Sequence, residues 1–305
     1  MKKAIITGST GLVGMTVAKY LSRKGIDVLC LGRNELSIAE VKNKFDSDKI
    51  AYLSINMKDV LSLPDKIKKS GWEPGDSCVF YNFAWSGRDK LTDGDFQDQF
   101  NNAVYTSNAL LSAKRIGCTK FINAGTLEET FAERFIADEN NKYNFSQVDY
   151  AIAKLASRDM CKMVAYLEKI DYIHTRLSVP LDQTLSKGGY ISSVLRKIAQ
   201  GETYNRPQNP QLFDIILSGD VAKAYYLIGN EGQNKADYYI GTAEPRTLSE
   251  YFEIFEQGIK GSNSKIENRN SEEDSEIFSI DNLMKDTGFM LSNKFEDLIN
   301  TTKEA

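Results

Sequence analysis

Met1-Lys2-Lys3-Ala4-Ile5-Ile6-Thr7-Gly8-Ser9-Thr10-Gly11-Leu12-Val13-Gly14 is the stretch whose reading decides the fold. Ala4, Ile5 and Ile6 have the character of a short buried strand, which passes without a spacer into glycines at 8, 11 and 14. Val13, Val17, Tyr20 and Leu21 then recur at helical spacing. Strand, glycine turn and helix in that order form a cradle for a dinucleotide. One glycine permits a tight turn, one lets the backbone approach a pyrophosphate, one lets the helix pack close to the strand, and the free N–H groups at the helix start favour phosphate. The spacing is Gly-x-x-Gly-x-x-Gly, not the commoner Gly-x-Gly-x-x-Gly. Gly8, Thr10, Gly11, Leu12, Val13 and Gly14 are therefore expected to hold the cofactor.

Working outward, Asp27 to Leu31 reads as a second strand ending at Gly32-Arg33-Asn34. At the end of this strand an acidic residue favours a ribose 2′-hydroxyl and an arginine a 2′-phosphate. The acidic position holds Gly32 and Arg33 follows it, so NADP is the expected cofactor and NAD the alternative. A helix (Leu36 to Phe45) and a third strand (Ile50 to Ile55) lead to Asn56 and Met57, placed near the adenine. Ser77 to Ala84 is nearly all apolar, as a strand buried on both faces should be, and brings Phe83, Ala84 and Trp85 to the cofactor and Ser86 to the substrate. Phe96, Phe100, Val104, Ser107 and Leu111 mark a long helix carrying Asn102, and a strand from Lys120 ends in Thr126. A helix opening around Gln147 then carries Tyr150 and Lys154.

This alternation predicts an α/β fold: a Rossmann-type doubly wound parallel sheet over residues 1–180. Residues 181–305 are read as a smaller α/β substrate-binding domain, with some chain exchange between the two. There a helix (Tyr190 to Gln200), a loop (Asn205 to Pro210), a strand (Leu212 to Leu217), a helix from Asp220 and a short strand (Tyr238 to Ile240) are expected. Thr247 and Glu250 have capping-box spacing ahead of Leu248, Tyr251, Phe252 and Phe255. Gly261 to Ser275 reads as an exposed loop, followed by a last strand (Ile277 to Ile280) and helix (Phe295 to Thr301).

Composition excludes several classes. With 38 basic and 42 acidic residues scattered along 305, nothing suggests a nucleic-acid surface or a polybasic membrane patch. No apolar run approaches the ~18 residues of a membrane span, and the first strand begins too early for a signal peptide, so a cytoplasmic protein is expected. Cys30, Cys78, Cys118 and Cys161 are widely spaced and read as reduced thiols. His174 is the only histidine, so no metal site is expected, and acid–base chemistry falls to Tyr, Lys, Asp or Glu.

Taken together, Thr7 to Gly14, Asn102, Thr126, Tyr150-Ala-Ile-Ala-Lys154, Phe213 to Ala222, Tyr239 to Leu248 and the tail around Gly288-Phe289 and Phe295 resemble one family. It is the extended short-chain dehydrogenase/reductases of the NAD-dependent epimerase/dehydratase group, which act on nucleotide sugars. The resemblance implies that Tyr150 exchanges the proton of a sugar hydroxyl or ketone and that Thr126 hydrogen-bonds the same oxygen. It implies that Lys154 holds the nicotinamide ribose and lowers the tyrosine pKa, with Asn102 a structural and water-relay member of the catalytic set. Sugar 4,6-dehydratases of the group carry Asp-Glu after the threonine. Here Leu127 and Glu128 follow Thr126, and leucine transfers no proton, which disfavours dehydration. Arg246 is the candidate for the substrate pyrophosphate, with Arg176 and Arg206 behind it. The expected activity is NADPH-dependent reduction of a 4-keto nucleotide sugar; a 4-epimerase on tightly bound NAD and a non-catalytic dinucleotide sensor stay open. The family further implies a homodimer through the helices bearing Asn102 and Tyr150.

Overall fold

In the computed structural model, which describes residues 1–87, 95–138, 148–262 and 272–304, the sheet winds both ways from β1 (Lys3–Thr7). β1 pairs in parallel with β2 (Asp27–Gly32) on one side and β4 (Cys78–Asn82) on the other. β3 (Ile50–Ser54) lies beyond β2. β5 (Lys120–Thr126), β6 (Asp171–Leu177) and β10 (Asp237–Ile240) lie beyond β4, giving seven parallel strands in the order β10-β6-β5-β4-β1-β2-β3. Chain order reverses between β1 and β4, and at that switch point a crevice opens outside the carboxyl ends of the strands.

A parallel sheet is stable only when both faces are covered. On one face Ala4, Ile6, Val28, Tyr81 and Ile173 pack with Val17 and Leu21 of α1 (Leu12–Arg23) and Tyr225 and Ile228 of α8 (Ser218–Glu231). On the other, Ile5, Leu29, Phe80, Phe121 and Tyr172 pack with Leu63 and Ile67 of α3 (Leu63–Ser70), Ala109 and Leu110 of α4 (Phe96–Ile116) and Cys161 of α6 (Val148–Glu168). The doubly wound Rossmann-type architecture expected from the sequence is thus present. All four cysteines are free and buried. Among the described residues no helix is long and apolar enough to cross a membrane.

The remaining elements gather at the carboxyl edge of the sheet. β7 (Val179–Leu181) pairs in parallel with β9 (Ile215–Leu217), and β8 (Leu212–Phe213) pairs antiparallel with β11 (Arg246–Thr247). A third apolar cluster joins Leu195 and Ile198 of α7 (Tyr190–Ala199), Phe252 and Phe255 of α9 (Leu248–Ile259) and Leu298 of α12 (Asp297–Glu304). The capping box of α9 forms as read, Thr247 and Glu250 each taking up the other's backbone N–H.

Four local readings are corrected. The strand read over Leu212 to Leu217 breaks at Asp214, whose buried carboxylate accepts the Tyr239 hydroxyl at 2.7 Å, both the N–H and the hydroxyl of Thr242, and the N–H of Ala243. Ile277 to Ile280 is no strand: Ile277 ends α10 (Glu272–Ile277), α11 starts at Asp281 (Asp281–Thr287), and Phe278 and Ile280 fill the main core from the loop between them. The helix read from Leu36 is α2 (Ile38–Phe45), because Ser37 is its cap and bonds reciprocally with Glu40. A helix unexpected from the sequence, α5 (Glu128–Ala137), follows Thr126 directly. The reading of Gln147 as a helix start, and residues 263–271 of the loop read over Gly261 to Ser275, lie outside the described residues.

Candidate active site

The glycine turn behaves as its composition dictates. Gly8 has φ +64°, and a β-carbon there would stand 2.8 Å from the Ala84 nitrogen. A β-carbon on Gly14 would fall on the Gly8 carbonyl, so α1 lies against the turn with nothing between them. Thr7 ties this turn to the next strand: its hydroxyl donates to Asn82 Oδ1 at 2.8 Å and accepts the N–H groups of Phe83 and Ala84 at 3.1 Å each. That side-chain bridge replaces the sheet ladder, which is why β4 stops at Asn82 and not at Ala84. α1 starts after Gly11 with no side-chain cap and no acidic residue in its first turn. Leu12, Val13 and Gly14 line the cleft, and the first N–H groups of a helix have no partner within it. Unopposed N–H groups at the positive end of a helix fit a pyrophosphate.

The cleft encloses about 940 Å³ and runs from this turn to both ends of the expected cofactor site. At the adenosine end it is lined by Gly32, Arg33, Asn56, Met57 and Lys58. A side chain at Gly32 would run into the hydroxyl of Tyr52, which is fixed by donation to the Asn34 carbonyl at 2.7 Å. A side chain there requires Tyr52 to move, and two exposed cations, Arg33 and Lys58, line this end of the cleft. Asn56 Oδ1 accepts the Lys58 N–H at 3.2 Å and so caps its own short turn.

At the far end stand Ala84, Trp85, Ser86, Asn102, Tyr150 and Lys154. Tyr150 and Lys154 face it from α6, one turn apart. The same spacing in Tyr20 and Lys24 yields only a stacked pair on α1 away from the cleft. Thr126 lies outside the cleft lining, its hydroxyl accepting the Glu128 N–H at 3.4 Å, and the wall at this point is Gly125 and Tyr150 itself. The Lys154 ammonium donates to the Ala124 carbonyl at 2.7 Å and lies 3.9 Å from the centre of the Trp85 ring. Trp85 is held by its indole N–H, which donates to Gln99 Oε1 at 2.7 Å, and packs edge-on against Tyr150.

Burial pushes the Tyr150 phenol above its ordinary range; the Thr126 hydroxyl pulls it down, and the charges of Glu129 and Glu128 push it further up. The Lys154 ammonium, engaged with Ala124 and Trp85, stands 5.7 Å from the phenol ring centre. Burial also draws Lys154 down to about 8, against a pull upward from Glu129. The site holds Tyr150 as a protonated phenol.

Asn102 is engaged at both ends of its amide. Its Oδ1 accepts the N–H and the hydroxyl of Ser86 at 3.0 and 2.9 Å, and its Nδ2 donates to the carbonyls of Ser86 and Asp98 at 3.0 Å each. An asparagine amide has two donors and two acceptor sites, so none is left for a water relay. Asn102 positions the Ser86 loop. Arg176 does not reach the cleft: its guanidinium is neutralised by Glu133 at 2.6 Å and Asp237 at 3.2 Å. Arg206 pairs with Glu253 and Glu256 outside both cavities. Arg246 lines a smaller cavity of about 140 Å³ with Thr242, Tyr251 and Lys294, paired with Glu244 and Glu296.

Two cations of the site escaped the sequence reading. Lys58 and Lys187 line the cleft. Glu128 has a carboxyl pushed up to about 7 by burial, and its Oε2 has no hydrogen-bond partner. The acid-rich start Glu128-Glu129 ahead of Phe131 and Ala132 was the available signal for α5. Because the folded pKa of Glu128 exceeds the ordinary 4.5, the folded chain holds that proton more tightly, so this group costs stability as pH rises from about 4.5 to 7 and no further above. Glu128→Gln is expected to be more stable than the wild type at pH 8 by on the order of 2 kcal/mol and equal to it near pH 4, as read by urea unfolding at the two pH values.

A glycine-turn cradle at the switch point, with a tyrosine and a lysine one helical turn apart at the other end of the same cleft, defines a dinucleotide-dependent enzyme of the short-chain dehydrogenase/reductase type. The chain belongs to the NAD dependent epimerase/dehydratase family, whose model matches residues 4–241. It is an NAD(P)-dependent enzyme of the extended form of that fold. It is 24% identical over 276 residues to CDP-abequose synthase of Salmonella muenchen, an alignment covering 87% of this chain and 83% of the other. It is 26% identical over 121 residues to an uncharacterized oxidoreductase of Staphylococcus saprophyticus, covering 36% of this chain and about half of that protein (52%). Among solved structures it is similar to the UDP-glucose 4-epimerase of Thermotoga maritima with UDP-glucose, with a TM-score of 0.75, 15% identity, and coverage of 99% of this chain and 97% of the other.

Proposed function

We propose that this protein reduces a keto nucleotide sugar, with the 4-keto carbon as the acceptor and NADPH as the donor. The observation that carries the reading is geometric: Tyr150 and Lys154 face, one helical turn apart, the far end of the same cleft that begins at the glycine turn. In the proposed step the sugar carbonyl oxygen accepts from the Tyr150 hydroxyl. The glycine turn and Lys154 would hold a reduced nicotinamide dinucleotide in the cleft, and that group would supply the hydride for the carbonyl carbon. Tyr150 gives its proton to the oxygen, so the ketone becomes an alcohol, and the positive Lys154 nearby stabilises the phenolate left behind. Leu127 is buried in the core and offers no acid for dehydration. CDP-abequose and UDP-glucose are both sugars on a nucleoside diphosphate, which supports that substrate class here. Arg246 and Lys294 of the second cavity are assigned to its diphosphate, and Ser86 to the sugar.

Incubation with a panel of keto and hydroxyl nucleotide sugars, following nicotinamide absorbance, tests the reading. Stoichiometric loss of reduced cofactor with a keto sugar is expected. Interconversion of two sugars with no net consumption would make the enzyme an epimerase on retained NAD instead. Preference for NADPH rests on Arg33, Lys58 and the crowded Gly32. Arg33→Ser is expected to weaken NADPH binding about tenfold, the scale of one charge-assisted contact, and to leave NADH within twofold in fluorescence titrations.

A homodimer is part of the proposal. Phe96 and Val104 on α4 and Met163, Tyr166 and Leu167 on α6 are exposed apolar side chains on the two longest helices. Sedimentation velocity is expected to give twice the chain mass, and a monomer at micromolar concentration would remove this part.

A further inference from the structure

His174, the single histidine, lies behind the cleft and fully buried on β6. Its Nδ1 is 3.2 Å from the Tyr172 hydroxyl and 3.4 Å from Asn123 Nδ2, and its Nε2 is 2.8 Å from Glu129 Oε2. An amide nitrogen only donates, so Nδ1 is the acceptor and Nε2 carries the hydrogen toward Glu129. The run extends backward: Thr7 donates to Asn82 Oδ1 at 2.8 Å, and Asn82 Nδ2 donates to Asn123 Oδ1 at 3.2 Å. Each donor from the glycine turn onward points the same way, and the run terminates at one carboxylate. Aligned hydrogen bonds of this kind polarise one another toward the acceptor end.

Glu129 has no exposed surface. Its second oxygen, Oε1, accepts the N–H of Thr126 at 2.9 Å. A β-carbon at Gly125 would collide with both Glu129 Oε1 and His174 Nε2, so the pair lies directly beneath the strand end that carries Thr126. A buried carboxylate persists only with donors and a counter-charge. Thr126 and His174 supply the donors. The cations that feel its charge are Lys154 and Arg176, and Arg176 is already paired with Glu133 and Asp237. Lys154 is bonded to the carbonyl of Ala124, two residues before the N–H that Glu129 holds, and among the described residues it has no carboxylate within ion-pair distance.

We propose that Glu129 is a positioning residue of the active site, the buried counter-charge to the Lys154 ammonium and the acceptor that fixes the peptide of Thr126 behind Tyr150. The catalytic part of this inference rests on the function proposed above; the electrostatic part does not. Besides Lys154 and Arg176, the groups facing Glu129 are His174, Tyr172 and Tyr150. None of them replaces the charge that Glu129→Gln removes, while the glutamine carbonyl still accepts from Thr126. With that charge gone, burial alone acts on Lys154, whose titration then falls below its value of about 8.

The test is the titration of Lys154 itself, read by NMR in the whole protein with lysine labelled at Cε and the resonance assigned by its loss in Lys154→Met. Glu129→Gln is expected to lower the Lys154 midpoint by about one pH unit or more. The alkaline limb of kcat/KM should move by the same amount, with KM for the sugar and affinity for the dinucleotide within about twofold. An unmoved Lys154 midpoint overturns the proposal. If Glu129→Gln alone does not fold, the double variant Glu129→Gln/Lys154→Met, in which both buried charges are gone, is expected to be more stable to urea than either single change; a double variant no more stable than the singles overturns it equally. Should the wild type turn over no nucleotide sugar, the functional reading fails while the titration still decides the role of Glu129.

Discussion

Tyr150→Phe is expected to lower kcat by about 10²- to 10⁴-fold, the range supplied by a positioned proton donor, and to leave dinucleotide affinity within twofold. The ring stays, so its edge contact with Trp85 stays, and only the hydroxyl is lost. Because the phenol is kept protonated by burial, its removal acts on the proton step and not on the charge of the empty site. Steady-state kinetics with the best keto sugar from the panel, together with fluorescence titration of the cofactor, separates the two quantities. A variant that keeps a tenth of wild-type kcat would mean that the proton comes from elsewhere, with Glu128 the first group to test.

Gly14→Ala should have the second-largest effect. The added methyl falls on the Gly8 carbonyl, so α1 must move away from the turn it packs against. Overpacking of this kind costs about 1–3 kcal/mol of stability. It also displaces the N–H groups of Leu12 and Val13 from any pyrophosphate, and we expect dinucleotide affinity to fall by about 100-fold or more, roughly the loss of two charge-assisted hydrogen bonds. Gly11→Ala is the internal control. Its β-carbon would stand 3.4 Å from the same carbonyl, a contact that a small shift relieves, so a loss of tenfold or less is expected. Calorimetric titration and urea unfolding of the two variants check both numbers, and equal losses in both would mean that close packing of Gly14 is not what shapes the cradle.

What the amino-acid sequence made legible divides along physical lines. Local patterns with long apolar runs or punctuating glycines could be read directly: the strands around Ile5, Leu29, Phe80 and Phe121, the turn at Gly8, the capping box at Thr247. Side-chain bookkeeping at long range could not. Nothing near Asn102 announces that Ser86 would saturate its amide, and nothing near Arg176 shows that Glu133 and Asp237 would neutralise it. The apolar cluster Ile277, Phe278 and Ile280 has strand composition, yet it fills the core from a helix end and a loop, because burial rather than propensity decided its conformation. The pKa of Tyr150 also depends on neighbours far along the chain. Spacing put Lys154 beside it, but the lysine's actual partners are a carbonyl on β5 and an indole after β4.

β10 bears on how the molecule is made. It is added to the sheet beside β6 from a position some sixty residues further along, in register from Asp237 with His174 to Ile240 with Leu177. Until residue 240 has left the ribosome, β6 is a bare edge able to pair with a foreign strand. Synthesis at about 5–20 residues per second leaves that edge open for some seconds. The nucleotide-binding half therefore cannot be freed from the C-terminal half of the chain: a polypeptide cut near residue 180 keeps the glycine turn, Tyr150 and Lys154 but exposes a sticky flank, and aggregation is the consequence built into this topology.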